Sequence, residues 1–365
     1  MRAPLEGTCD ARFAPVRGQF AALLADGTET GAAVCVYLGD EPVVDLWGGW
    51  ADAAGSRPWQ RDTIVPTYSV TKAPAAVTLL SVVDRGLVGL DDRVASVWPE
   101  YGSAGKEPTT VRHLLAHRAG LPTFPEPRLD PAAWADWDDL VAMLARATPE
   151  WEPGTAHAEH AYTYGHLLGE VVRRVDGRSL GRVWREDLAA RLGLDFQIGL
   201  RDDECARVAE MEYATPSWPV DVGGEPGGLR DRAVTNPAGA RDLAVLNSDL
   251  WRRAEIPAVN GHGTARAIAR FYAAVAGRLD VPLLSDGLRA ELLTPVATGP
   301  DLMLEREVTW GLGVQFEGSY GGLGGLGGAD GLADRTRGYS FGYVTRRLAD
   351  HDRAISLSDT VESCL

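Results

Sequence analysis

The sequence predicts an α+β protein: an antiparallel sheet flanked by helices, built from both ends of the chain, plus an all-helical lobe inserted between them. Three observations predict it. Strand-like segments occur near the N-terminus and again from Trp310 onward. The stretch between them carries apolar residues at helical spacing. No internal repeat is visible, so the two ends are read as parts of one sheet. The implied division is residues 1–72 with 262–365 for the sheet part and 73–261 for the helical part. A cleft between the two is the natural place for a site.

The elements follow in order. GAAVCVYL (31–38) and VVDLW (43–47) read as strands, and Gly39-Asp40 between them marks a hairpin turn. A helix is predicted from about Val70 to Gly86, with Val77, Leu79, Leu80 and Val83 on its apolar face. Pro74 falls in its first turns, where a missing N–H costs least. TVRHLLAHRAGLP (110–122) reads as a helix closed by Gly120 and Pro122, and 139–147 and 162–176 are also helical in pattern. Residues 214–238, rich in Pro and Gly, read as a long loop, and loops of this length often serve as functional covers. Helix returns over 262–277. WGLGVQF (310–316) and YSFGYVT (339–345) read as strands, with the glycine run 321–331 as an edge-strand turn, and a last helix covers roughly 352–364.

Composition narrows the function. The chain has 365 residues, is 45% hydrophobic and 24% charged, and so has the makeup of a folded globular protein. A formal charge of -15 repels phosphate backbones and disfavours a nucleic-acid partner. The N-terminal MRAPLEGTCDARF lacks the apolar run of a signal peptide, and no stretch of about 18 apolar residues is present to span a bilayer. A cytoplasmic protein with no membrane partner is the expectation. Cys9, Cys35, Cys205 and Cys364 have neither metal-ligand nor disulfide-framework spacing.

Of 36 basic residues only Lys72 and Lys106 are lysine. Codon bias toward arginine accounts for the ratio, but a retained lysine also suits a task that needs an amine able to lose its proton. Lys72 closes Ser69-Val70-Thr71-Lys72, an S-x-x-K pattern at the start of a helix. Positions i and i+3 share a helix face, which sets the ammonium over the serine hydroxyl. A serine hydroxyl is a weak nucleophile and needs a base. A lysine supplies one where burial and a helix N-terminus depress its pKa. The pattern alone equally describes a solvated Ser and Lys at a helix start; the preceding hairpin and short loop favour chemistry.

Further stretches fall in a familiar order: VVDLWGGWAD (43–52), DTIVPTYSVTK (62–72), VRHLLAHRAGLP (111–122), WEPGT (151–155), YGHLLGEVVRRVDGRSL (164–180) and AEIPAVNGHGTARAIARFYA (254–273). From about residue 17 onward the chain resembles the serine β-lactamase/penicillin-binding-protein superfamily, and within it the class C-like esterases of family VIII. The resemblance implies a β-lactamase/transpeptidase-like fold and a serine-dependent acyl transfer through an acyl-enzyme on Ser69. It implies a small-molecule acyl substrate and no cofactor or metal. The branch includes esterases, β-lactam hydrolases, D-amino-acid peptidases and acyltransferases, so transfer to an amine or alcohol is the alternative to hydrolysis. A non-catalytic binding protein on the same fold is a third reading, which the intact S-x-x-K opposes.

Two family motifs depart from the pattern. Counting from Thr155 and back from Tyr164-Gly165 places Glu159 where the family carries a tyrosine, followed by His160-Ala161. The third motif falls on Leu323-Gly324-Gly325, without its usual lysine or histidine. Leu323 cannot bond a substrate carboxylate, so β-lactam recognition is not expected. The family's oxyanion donors map to the backbone N–H groups of Ser69 and Leu326, which survive side-chain replacement. A carboxylate at 159 favours a charged Lys72 and spoils it as a base. Two readings of the altered motif stay open: Glu159 takes over the proton, directly or through a water, or the hydrolytic machinery has decayed. Tyr68, His160, Tyr162, Leu323, Gly324 and Gly325 complete the expected cleft. Tyr162 and Tyr164 are read mainly as packing residues. His113 and His117, at i,i+4, are read as structural because no third metal ligand is in reach.

Overall fold

The computed structural model describes residues 4–365. Its centre is a nine-stranded antiparallel sheet: β1 (Leu5–Cys9), β2 (Gly31–Leu38), β3 (Glu41–Gly49), β4 (Ala297–Asp301), β5 (Arg306–Trp310), β6 (Gln315–Glu317), β7 (Tyr320–Gly324), β8 (Asp330–Asp334) and β9 (Tyr339–Thr345). The spatial order is β1-β3-β2-β9-β8-β7-β6-β5-β4. The N-terminal hairpin thus joins the C-terminal strands through β2 and β9, where Val36 faces Phe341 and Val34 faces Tyr343.

Alternation along β2 explains how both faces are used. Ala32, Val34 and Val36 pack with Phe13, Val16 and Phe20 around the first helix, α1 (Ala14–Ala25), and with Leu357 and Val361 of the C-terminal helix. Ala33, Cys35 and Tyr37 face the opposite way, into the large core shared with the helical region. There a helix over Ala265–Val275 lies close against β9: a Cβ on Gly342 would stand 2.3 Å from the Ala265 carbonyl oxygen. Only glycine permits that approach.

The helix that matters most is α2 (Lys72–Asp84). It begins two residues later than the apolar pattern predicts, because Tyr68–Thr71 forms a 3-10 turn first. Pro74 sits in the first turn, where its missing N–H donor costs least. Val77, Leu79 and Leu80 are fully buried, each contributing about 1.5–3 kcal/mol. Gly86 at φ +72° follows the helix and stops it.

Several expected boundaries differ. The helix expected over 110–122 covers only Val111–Leu115, since His117 adopts the left-handed region at φ +60° and turns the chain. The segment 214–238 is not all loop; it holds short helices at Trp218–Asp221 and Leu229–Thr235. The helix expected from 262 starts at Ala265, because His262–Gly263 pairs as a short strand with Val65–Pro66. WGLGVQF is two strands, broken between Trp310 and Gln315. The glycine strand β7 is interior rather than the sheet's edge, with β6 beside it. Pairing with β6 nevertheless stops at Gly322, so Leu323 and Gly324 form a local free edge.

Candidate active site

The 3-10 turn and α2 put Ser69 and Lys72 on one face, as the i,i+3 spacing requires. Tyr68, one residue earlier, is held at φ +47°, a costly backbone region for a bulky residue. Its hydroxyl is tied to the Ala240 carbonyl at 2.9 Å. Thr71 anchors the other side of the turn by accepting from Gly261 N–H at 2.9 Å.

Lys72 is completely buried. Its three ammonium protons meet three acceptors: Ser69 Oγ at 2.7 Å, Glu159 Oε1 at 2.9 Å and the Ala258 carbonyl at 3.4 Å. An ammonium has three donors and no acceptor, so this set satisfies it. Ser69 Oγ in turn donates to Glu159 Oε1 at 3.2 Å. Burial pulls the Lys72 amine below the usual lysine range, although Glu159 pushes it the other way. Burial likewise pushes the Glu159 carboxyl up, but Lys72, the Ser69 hydroxyl and the field of Arg230 outweigh it and hold the group below the usual carboxylate range. The arrangement is therefore a carboxylate with an ammonium, and the serine proton points at the carboxylate.

Glu159 is positioned through its backbone. Its N–H donates to Asp301 Oδ1 at 3.1 Å, at the end of β4. The same oxygen accepts from Met303 N–H at 3.0 Å and Leu304 N–H at 2.9 Å, while Oδ2 accepts from Trp310 Nε1 at 2.9 Å. Asp301 is thus buried with four donors aimed at it. His117 holds the neighbouring residue, its Nδ1 accepting from His160 N–H at 3.1 Å.

A cleft of about 590 Å³ opens over this centre. Tyr68, Ser69, Glu159, Tyr162, Leu323, Gly324 and Leu326 all line it. Tyr162 also packs as predicted, with its hydroxyl on the Val234 carbonyl at 3.0 Å. Two expected cleft residues are not there. His160 is fully buried and away from the cavity; its Nδ1 faces the Ala158 carbonyl at 2.7 Å, its Nε2 accepts from Leu121 N–H at 3.1 Å, and burial pushes its pKa down to about 4. Gly325 lies beneath the cleft floor, where a Cβ would come within 2.1 Å of the Thr67 carbonyl oxygen. That contact presses the free end of β7 onto the serine turn. Among the described residues the Leu326 N–H has no acceptor in the protein. Leu323 is buried in the main core while touching the cleft.

The remaining candidates fall to structural roles. His113 Nδ1 accepts from Thr110 N–H at 3.4 Å and caps its own helix. Tyr164 stacks on His117 with ring centroids 4.3 Å apart. Lys106, the second lysine, donates to the Ser103 carbonyl at 2.9 Å and to the Ala147 carbonyl. Among the described residues no cluster of His, Cys, Asp or Glu is arranged to hold a metal, and no helix is long and apolar enough to cross a membrane. Sequence reasoning missed Asp301, and also Arg230 and His351, which line the cleft. Asp301 gave no signal, since its partners are distant in sequence. Arg230 was a cation inside the predicted covering segment, and His351 the one histidine left unread.

The Beta-lactamase family model matches residues 16–361. The chain belongs to the Beta-lactamase family. In line with that membership, it superposes on the crystal structure of a family VIII carboxylesterase with a TM-score of 0.90 and 36% identity, covering 99% of this chain and 100% of the other. Esterase/beta-lactamase LipL of Mycobacterium tuberculosis (strain ATCC 25618 / H37Rv) is 36% identical over 298 residues, 78% of this chain and 66% of that protein. Acyltransferase calJ of Penicillium decumbens is 30% identical over 210 residues, 49% of each chain. The chain thus spans just under two thirds of the first of these curated relatives and about half of the second. The β-lactamase/transpeptidase fold is common ground.

Proposed function

We propose that the protein is a serine esterase that works through an acyl-enzyme on Ser69, with Glu159 as its general base. The observation that carries this reading is that one carboxylate oxygen, Glu159 Oε1, meets both the Ser69 hydroxyl at 3.2 Å and the Lys72 ammonium at 2.9 Å. Ser69 Oγ attacks the acyl carbon as its proton passes to Glu159. The Lys72 ammonium, 2.7 Å from Oγ, stabilises the negative charge that grows on the oxygen. The N–H groups of Ser69 and Leu326 hold the oxyanion. Collapse expels the alkoxide, which takes the proton back from Glu159. Water then attacks the acyl-enzyme, gives a proton to Glu159, and the acid leaves as Ser69 Oγ is reprotonated.

The similarity to a carboxylesterase over the whole fold supports an ester substrate. Likeness to a protein named as an acyltransferase favours a second reading, in which an alcohol or amine takes the place of water. The test is intact-mass analysis after incubation with p-nitrophenyl acetate. An acetyl increment on Ser69 supports the acyl-enzyme, and added alcohol then separates hydrolysis from transfer by product analysis. Nitrophenol release with no adduct in the wild type, undiminished in Ser69→Ala, would overturn the reading.

A further inference from the structure

Arg230 is a cation without a partner inside the cleft. It sits on the short helix Leu229–Thr235, which the Tyr162 hydroxyl ties down through the Val234 carbonyl. It lines the same cavity as Ser69 and Glu159 and is close enough to help depress the Glu159 carboxyl. Yet among the described residues no carboxylate lies within 4.0 Å of its guanidinium, and it donates no hydrogen bond. Its neighbours behave differently. Arg232 on the same helix is bidentate to Glu150, at 3.0 Å to each oxygen, and Arg241 donates to the Pro219 carbonyl. Arg230 instead shares the lining of the nucleophile's cavity with its guanidinium open.

Its stem is braced. A Cβ on Gly224 would stand 3.1 Å from Arg230 Cδ, so the side chain runs along the bare backbone of Gly224. The other arginine of the cleft, Arg306, is exposed and reaches Gln315 Oε1 at 3.4 Å. Leu323, at the third motif, offers no charge. Arg230 is therefore the cation nearest the chemistry that remains free to take a substrate group.

The group it fits is a carboxylate. Lys72 and Glu159 cancel in charge, which leaves Arg230 to match one negative charge; Glu317, Asp330, Asp359 and Glu362 also line the cavity, so a second negative charge on the ligand is opposed. The planar guanidinium fork matches a carboxylate with two parallel N–H···O bonds. We propose that Arg230 anchors a carboxylate carried by the substrate, so that the preferred substrates are anionic esters, such as half-esters of dicarboxylic acids. This rests on the serine-esterase reading above.

The test compares mono-(4-nitrophenyl) succinate with 4-nitrophenyl butyrate, in wild type, Arg230→Ala and Arg230→Lys. A third ester, with the carboxylate on the nitrophenyl group, tells an acyl-side anion from a leaving-group one. The ratio of kcat/KM, anionic over neutral ester, is expected to fall about 10–100-fold in Arg230→Ala for at least one anionic ester, with partial return in Arg230→Lys. A ratio unchanged within twofold for both overturns the inference, because equal loss on all esters means that Arg230 acts only through Glu159. Calorimetry of monomethyl glutarate with Ser69→Ala, alone and combined with Arg230→Ala, reads the anchor without turnover: binding should weaken tenfold or more in the double variant. Absence of a Ser69 adduct on any ester instead removes the esterase reading, while the calorimetry still decides the anchor.

Discussion

Glu159 and Lys72 share a contact of 2.9 Å at a site where the lysine is wholly enclosed and the carboxylate is only 12% exposed. Neither charge has another ionic partner at that distance, so each stabilises the other's charged form. In the proposed mechanism this pairing makes the carboxylate the base and leaves the amine as a positive charge.

Glu159→Gln keeps the shape and removes the proton acceptor. kcat for 4-nitrophenyl esters should fall about 10²–10⁴-fold. Far-UV circular dichroism should be unchanged, since glutamine can still accept from Lys72. Retention of activity within threefold would show that the carboxylate does not take the serine proton.

Ser69→Ala should give no mass increment with p-nitrophenyl acetate and a rate lower by several orders of magnitude, with the thermal transition retained. Intact mass spectrometry and a melting curve are sufficient.

The pH profile of kcat/KM should be bell-shaped. Protonating Glu159 removes the base, so activity is lost as pH falls through a pKa held below the usual 4.5. Deprotonating Lys72 removes the positive charge, so activity is lost as pH rises through a pKa drawn below the usual 10.5. The two limbs belong to the coupled pair rather than to single residues. In Glu159→Gln the acid limb should vanish; its persistence would assign that limb to another group.

Nitrocefin turnover should be slow compared with that of simple nitrophenyl esters. Leu323, 6% exposed and lining the cleft, has no side-chain donor or charge to offer a β-lactam carboxylate. Turnover of nitrocefin as fast as that of nitrophenyl esters would contradict this.

Asp301→Ala strands four N–H groups that the carboxylate now accepts, three of them backbone. Each unsatisfied buried donor costs about 1–3 kcal/mol. Urea denaturation should show a loss of at least about 3 kcal/mol. In Asp301→Asn one oxygen remains for the three backbone donors, so the fold should suffer less and kcat more than KM. Wild-type stability in the alanine variant would mean that water replaces the carboxylate.

Much of the candidate site's geometry was legible because its signals are local. Ser69 and Lys72 are three residues apart on one turn, and Glu159 is fixed by counting from Thr155 and Tyr164. The hairpin over 31–49 and the final helix were likewise written in period and turn residues. What was not legible depends on distant partners. The early end of the helix at Leu115 follows from the backbone of His117, whose ring is committed to His160 43 residues away. His160 looked like a cleft residue by position, but its N–H is taken by His117 and its ring by the Ala158 carbonyl and Leu121 N–H, which keep it inward while Glu159 faces the cleft. Asp301 reaches Glu159 across 142 residues.

The three acceptors around Lys72 come from three separate stretches of chain: Ser69 on its own turn, Glu159 before the next long helix, and Ala258 after the covering segment. An ammonium cannot be taken out of water until such acceptors are gathered, because an unpaired buried charge is prohibitively costly. Enclosure of this one side chain is therefore expected late in refolding, after α2 and the N-terminal hairpin have formed from local contacts. Return of esterase activity should lag behind return of the helical signal, and the lysine acts as an internal check that the distant halves of the molecule have met.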